Sequence, residues 1–458
     1  MQINSLSFKS HVESIDFLAF YMKKIYPKKG GGRDSVKPAS YLKTFINEMD
    51  AIKTACIEGS YKFAPYKEKL LLKGRNRYPR VLSIPIVRDR FVLALINDYL
   101  SAAWNIQRPA PNTYINRISR FIEKSIFENR DIFFFKTDIS SFYDNISHSR
   151  LVRILAPAID GAALKLIINA ITTPTLAPSE KTNTLNERGI PQGLSISSIL
   201  AAIYMNDFHK DMERAFADDL FLRYVDDILV LTNNERDCHG TILNGIARHC
   251  LGVELTEAKT KKGNLSHDSF EYIGYRIDNN RISVKKSNLD RFANRIANRC
   301  IQASKEYSNP LLRPRYIGSD KEYLEYVESD INMLISGFRV YNHNYGWIAY
   351  FQQIDNLTDL YHLDYVVRKH LGKELAGKLK INSIVRTYHD IRRNMGRSIL
   401  VNFDSVTERG KKIAYLKRFG FIREYETRDI SDSEIDNRFN IMIQSFVRKS
   451  KADLIELS

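Results

Sequence analysis

Two periods of apolar spacing run through this chain, and the places where one gives way to the other mark its elements. Phe221-Leu222-Arg223-Tyr224 and Ile228-Leu229-Val230-Leu231-Thr232 are apolar or β-branched runs of strand length, and together they predict a hairpin. A third run, Asp131-Ile132-Phe133-Phe134-Phe135-Lys136-Thr137, is too apolar for an exposed edge and predicts a buried strand. After Gly189-Ile190-Pro191-Gln192-Gly193 the period lengthens. Ile199, Ile203 and Tyr204 fall on one helical face, which predicts a helix capped by Ser195 and running to about Ala217. From Leu289 another helical pattern places Arg291, Arg295 and Arg299 on one ridge, with Phe292, Ile296 and Cys300 on the stripe beside it. The first 60 or so residues are helical in pattern. They are interrupted by Pro27-Lys28-Lys29-Gly30-Gly31-Gly32-Arg33, which reads as a flexible, solvated connector because the glycine-lysine spacing of a phosphate loop is absent.

Chemistry concentrates at the tip of the first hairpin. Tight hairpin turns favour Asn-Gly, Asp-Gly or Gly-Gly, and Val225-Asp226-Asp227 offers none of these. Two adjacent acids repel and raise each other's pKa unless a cation neutralises them. Mg²⁺ is such a cation, binding one or two carboxylates together with substrate phosphates. A solvated acidic turn is the competing reading of this dipeptide. The deciding acid should end a separate buried strand, and Asp138 does so, although a lone Asp there also suits a helix cap.

The order of Asp138, then Gly189-Ile190-Pro191-Gln192-Gly193, then Tyr224-Val225-Asp226-Asp227 resembles motifs A, B and C of reverse transcriptases. Arg80-Val81-Leu82-Ser83-Ile84-Pro85 and Val87-Arg88-Asp89-Arg90 are similar to the fingers signature of the bacterial and group II intron branch. Leu255-Thr256-Glu257-Ala258-Lys259-Thr260 looks like motif D, and Phe270-Glu271-Tyr272-Ile273-Gly274-Tyr275 like motif E. The resemblance implies an α+β right-hand polymerase fold: an N-terminal helical segment (1–60), fingers (60–130), a palm (131–285, with 148–188 returning to the fingers), a helical thumb (286–375) and a basic helical extension (376–458). It implies two Mg²⁺ ions, with Mn²⁺ as a substitute, held by Asp138, Asp226, Asp227 and the carbonyl of Ile139. Arg80 and Lys73 would grip the incoming triphosphate, although a salt bridge is the other reading of Lys73. Gln192 and Gly193 would border the nucleotide, and Lys259 would protonate the leaving pyrophosphate. Tyr143 would lie under the sugar 2′-carbon and exclude ribonucleotides, unless Phe142 is the inward ring. Arg291, Arg295 and Arg299 would lie on duplex phosphates, and Arg392 and Arg393 on RNA.

Composition fits a polyanionic partner: 69 Lys and Arg against 53 Asp and Glu leave a formal charge of +16. Cys56, Cys238, Cys250 and Cys300 have no metal-ligand spacing and read as reduced thiols. No secretory segment or apolar window of membrane-spanning length is visible, so a bacterial cytoplasmic protein without a membrane partner is expected. No HNH-type, Cys/His, integrase or RNase H pattern follows the thumb, and the NAxxH and VTG signatures of retron enzymes are missing. The chain is therefore most similar to bacterial reverse transcriptases of antiviral defence, including the abortive-infection type. The expected partners are an RNA template, with a dedicated noncoding RNA as one source, deoxynucleotides and a DNA product. Template-independent or protein-primed synthesis, a retron or group II intron-derived enzyme, and an inert nucleic-acid scaffold stay open as alternatives. So does the oligomeric state. Asp429, Asp432, Glu434 and Asp436 read as an acidic turn without an assigned purpose.

Overall fold

The computed structural model describes residues 7–72, 78–104, 109–139, 141–177, 179–180, 184–235, 239–252, 255, 260–393, 399–427 and 430–455. The fold is α+β, and contacts divide the chain into two units. The first takes in residues 1–108, 135–230 and 235–261; the second takes in 109–134, 231–234 and 262–458.

The first unit is organised around the helix Val87–Ala103, whose Phe91, Val92, Leu93, Leu95, Ile96, Tyr99 and Leu100 are all fully buried. A helix apolar on every side belongs inside a core. Phe91 packs against the rings of Phe17, Tyr21 and Phe45, which come from the helices Phe17–Lys24 and Pro38–Glu58. Strands β1 (Tyr66–Leu71) and β2 (Arg80–Ile84) form an antiparallel pair, and Leu71 faces Arg80 across it. β3 (Phe133–Asp138) begins in the second unit and ends in the first. β4 (Thr175–Leu176) pairs parallel to β1. β5 (Leu220–Tyr224) and β6 (Asp227–Thr232) complete this part, and the sheet order is β5-β6-β3.

The Pro27–Arg33 loop is not the solvated connector expected from its composition. The Arg90 guanidinium donates to Gly30 O at 2.8 Å, and Arg33 donates to the carbonyls of Ala177 and Glu180. A Cβ on Gly32 would stand 2.6 Å from Ile86 Cα. Gly31 and Gly32 have other backbone against them, that of Ser35 and Ile86, whereas Gly30 has open space and a φ of +84° that favours glycine.

Helix boundaries near the B-like loop also differ from expectation. The helix begins at Ser197, not Ser195, and breaks at Met205 into Ser197–Tyr204 and Asn206–Ala215. Ser197 Oγ donates to Pro191 O at 2.6 Å, so the hydroxyl ties down the loop rather than capping the helix.

In the second unit, Ile132 O accepts from Leu265 N at 2.8 Å and Phe134 packs on Phe270. Asn112 Nδ2 also donates to Ala349 O at 3.3 Å, so residues 109–134, including the helix Pro111–Phe127, group in this unit. β7 (Lys261–Asn264) is followed by β8 (Ser269–Tyr272), β9 (Tyr275–Asp278) and β10 (Arg281–Val284), and the last three form one antiparallel sheet. Helices Lys286–Ser308 and Asp320–Ser336 follow. Within the stretch 286–375, expected to be helical, the helix Asp320–Ser336 stops at Gly337, whose φ of +79° a side chain would resist, and gives way to β11 (Phe338–Val340). Between β12 (His343–Tyr345) and β13 (Val401–Asn402), β11 is central. Helices Thr358–His370, Ile384–Arg393, Arg409–Arg418 and Asp432–Ile455 complete the unit. Asp432, Glu434 and Asp436 form the start of the last helix, not a turn, and pair with Arg409, Arg438 and Lys412; Asp429 lies outside the described residues. Among the described residues, no helix is long and apolar enough to cross a membrane.

Candidate active site

β5 and β6 are joined through Val225 and Asp226, and Val225 has a φ of +60°. Left-handed backbone at a β-branched residue is rare and strained, and such strain gathers at functional sites. Arg223 Nη1 donates to Val225 O at 2.9 Å and holds the turn in place. Alongside, Ile139 N–H donates to Asp226 O at 3.3 Å. That bond draws the peptide after Asp138 against the turn, so acids distant in sequence become neighbours in space.

Lys136 lies two positions before Asp138 and therefore on the same face of β3. Its Nζ stands 3.1 Å from Asp227 Oδ1. Burial pushes the Asp227 carboxyl up to about 6; Lys136 pulls it down, while Asp138 and Asp226 push it up further. The sequence offers a signal for Lys136 in the alternation Lys136-Thr137-Asp138, which sequence reasoning did not use. Among the described residues, no three His, Cys, Asp or Glu side chains close a metal site by themselves. The carboxylates are nonetheless hard oxygen donors of the kind Mg²⁺ takes, and Mg²⁺ completes its shell with waters and substrate phosphates. The donor set fits the ion.

The loop opened by Gly189 is clamped on both sides. Gly189 N–H donates to Ile146 O and Ile190 N–H to Tyr143 O, each at 2.8 Å. A hydrogen bond of 2.6 Å joins His148 Nε2 to Gly189 O. Farther along, Ser83 N–H donates to Gln192 O at 2.7 Å, and a Cβ on Gly193 would stand 2.9 Å from Ser83 O. The loop thus binds the Tyr143 segment to β2, the strand that begins with exposed Arg80. Phe142 is buried in the core, whereas Tyr143 is only partly buried and packs against it. Of the two rings, Tyr143 is the more exposed.

Arg88, Asp89 and Arg90 do structural work. Asp89, fully buried, accepts from Tyr61 Oη at 2.6 Å and Ala64 N at 3.0 Å. Lys73 and Lys259 lie outside the described residues. The Arg299 assignment is corrected: its side chain is 14% exposed, its Nε pairs with Asp330, and its Nη1 is 3.6 Å from Glu306. Helical spacing put Arg299 on the ridge, but packing of two helices turned it inward. Arg291 is exposed and Arg295 partly buried. Arg392 donates to Ile354 O at 3.3 Å and to Tyr388 Oη, with Arg393 exposed beside it.

Residues 71–277 match the reverse transcriptase (RNA-dependent DNA polymerase) family. The matched segment contains Arg80, Asp138, Tyr143, Gln192, Asp226 and Asp227. The chain is 25% identical over 214 residues to a 91 kDa protein in the cob intron of Schizosaccharomyces pombe. The alignment takes in 45% of this chain and only 26% of the fungal protein. Among solved structures, telomerase from Candida albicans in complex with a fragment of telomeric RNA aligns at 13% identity and a TM-score of 0.41, over 86% of this chain and 69% of that one. Apo telomerase from Candida tropicalis aligns at 15% identity and 0.42, over 83% and 69%.

Proposed function

We propose that the chain copies RNA into DNA, with Asp138, Asp226 and Asp227 as the carboxylates of a two-Mg²⁺ site and the Ile139 carbonyl as a further ligand. The observation that carries this reading is the Ile139–Asp226 hydrogen bond, which joins acids from two strands beside Lys136. When bound, the ions supply the charge that lowers the pKa of a primer 3′-hydroxyl and stabilises departing pyrophosphate. Arg80 presents a guanidinium fork to the triphosphate. Gln192 and Gly193 border the nucleotide on a loop whose position is set by Ser83. Tyr143 offers its ring to the sugar, where a 2′-hydroxyl would collide with it. Arg291, Arg295, Arg392 and Arg393 supply positive charge for template and product, while Lys73 and Lys259 keep the triphosphate and leaving-group roles that the motifs imply.

Primer extension on an RNA template with labelled deoxynucleotides tests this. Wild-type protein extends the primer only with Mg²⁺ or Mn²⁺, and Asp138→Asn and Asp226→Asn each abolish extension while leaving RNA binding. Extension that survives in both variants would return the chain to the scaffold reading.

The finer proposal is antiviral defence with a dedicated noncoding RNA, tested by phage challenge of cells carrying wild-type or Asp226→Asn protein and by sequencing the copurifying RNA. Equal protection by both, or a random RNA sample, would refute it. The match to a protein of a fungal intron favours a second reading, an intron-type enzyme, for which the copurifying RNA is intron sequence.

A further inference from the structure

The helix Thr358–His370 in the second unit has two unlike faces. Leu360, Leu363, Val366 and Val367 are buried, and the helix Lys286–Ser308 packs alongside, with Gly372 N–H donating to Ser304 Oγ at 3.0 Å just past the helix end. On the other face, Tyr361 is 60% exposed and Tyr365 53%. Residues four apart are neighbours on one side of a helix, and a rise of about 1.5 Å per residue separates these two by about 6 Å along the axis. Each ring can therefore take a separate planar group. Lys369 continues the row, its Nζ 5.8 Å from the centre of the Tyr365 ring.

The charge of this face is positive. Arg368 and His362, both exposed, flank the row. The two acids of the helix fall outside it. Asp364 is half-buried, and its two oxygens accept from Ile384 N at 2.7 Å and Ser383 Oγ at 2.6 Å. Asp359 is half-buried as well. Just beyond the helix, Glu374 stands 3.5 Å from Lys378 Nζ, and the neighbouring helix exposes Asp290 together with Lys286 and Lys305. Among the described residues, neither Arg368 nor Lys369 is in an ion pair. Exposed rings interleaved with free cations are the two parts of a single-strand platform, because every unpaired base offers a face to stack and every nucleotide a phosphate.

We propose that this row is a platform for single-stranded RNA, with two unpaired bases stacked on Tyr361 and Tyr365 and the adjoining phosphates held by Arg368 and Lys369. Bases stacked inside a duplex have no face left for these rings, so the platform selects single strands. It shares no residue with the carboxylate site or with the arginines named above. The choice of RNA rests on the reading of the chain as a polymerase that copies RNA; the stacking does not.

Fluorescence anisotropy on the full-length protein in EDTA tests the platform, with an unstructured RNA of alternating cytidine and adenosine, a DNA strand of the same sequence and a blunt RNA duplex of equal length. Tyr361→Ala/Tyr365→Ala should weaken binding of the RNA strand at least tenfold and leave the duplex unchanged. Tyr361→Phe/Tyr365→Phe, which keeps both rings, should stay within threefold of wild type. In Arg368→Gln/Lys369→Gln the slope of log affinity against log salt should become shallower by about 1.4, two phosphates at about 0.7 each. Ultraviolet crosslinks from a thiouridine-substituted strand should map to this helix by mass spectrometry. Strand affinity unchanged in the alanine variant, an equal loss on duplex, an equal loss in the phenylalanine variant, crosslinks that miss the helix, or a DNA strand bound more tightly than RNA would each overturn the proposal. Asp226→Asn should bind the strand as wild type does; primer extension surviving in that variant sinks the polymerase reading and leaves the stacking result standing.

Discussion

Replacing Gly189 by alanine places a methyl group where three backbone atoms already stand: Asp144 O at 2.9 Å, Asp144 Cα at 3.0 Å and Tyr143 O at 3.1 Å. None is the end of a flexible side chain, so the clash is relieved only by moving the loop. The φ of +84° at this position adds left-handed strain of about 1–2 kcal/mol for a residue with a Cβ. Moving the loop stretches the bonds from Gly189 N to Ile146 O and from Ile190 N to Tyr143 O, each worth about 0.5–1.5 kcal/mol. The sum is about 2–5 kcal/mol, enough to lower the thermal midpoint of a unit this size by at least about 4 °C. The same movement displaces Tyr143 and Gln192, so primer extension should lose most of its kcat/KM. Gly161→Ala is the control: nothing lies within 4 Å of its Cβ, and it starts the helix Gly161–Thr172, where alanine is neutral or mildly stabilising. Differential scanning calorimetry and steady-state extension compare the pair. If Gly189→Ala melts and polymerises like Gly161→Ala, the clamp does not position the nucleotide pocket.

Tyr143→Ala should admit ribonucleotides in competition assays, while unchanged sugar discrimination would remove the gate. Arg299→Met strands Asp330 and Glu306 without their cation and should cost about 3–5 kcal/mol by denaturant titration, whereas exposed Arg291→Gln should change stability by less than about 0.5 kcal/mol. Burial lifts the Asp89 carboxyl to about 6 against hydrogen bonds from Tyr61 and Ala64, so between its unfolded value of 3.8 and 6 the folded chain holds the extra proton. Stability therefore falls as pH rises through that window, by at most about 1.4 kcal/mol per unit, and Asp89→Asn should flatten the slope in pH-dependent melting. Template affinity, measured by filter binding, should fall steeply between low and physiological salt as counterions are released, given the charge of +16.

The hairpin, the strand ending at Asp138 and the Gly-Ile-Pro-Gln-Gly loop were legible because strand period, turn composition and local order are properties of neighbouring residues. Asp138, Asp226 and Asp227 could be named for the same reason. What remained hidden depends on partners far along the chain. Lys136 became a counter-ion because β3 and β6 lie side by side. The Pro27–Arg33 loop reads as solvent-exposed until Ile86 and Arg90 are found against it. Arg299 shares its helical ridge with Arg291, and only the packing of Asp320–Ser336 turned one inward toward Asp330 while the other stays exposed. The sequence alone pointed to the chemistry proposed for the carboxylate site, because each acid ends or joins a strand whose apolar run is a local pattern. Only the tertiary structure decided which charges neutralise one another, since Coulomb pairing and burial depend on distances of a few ångströms that sequence spacing does not record.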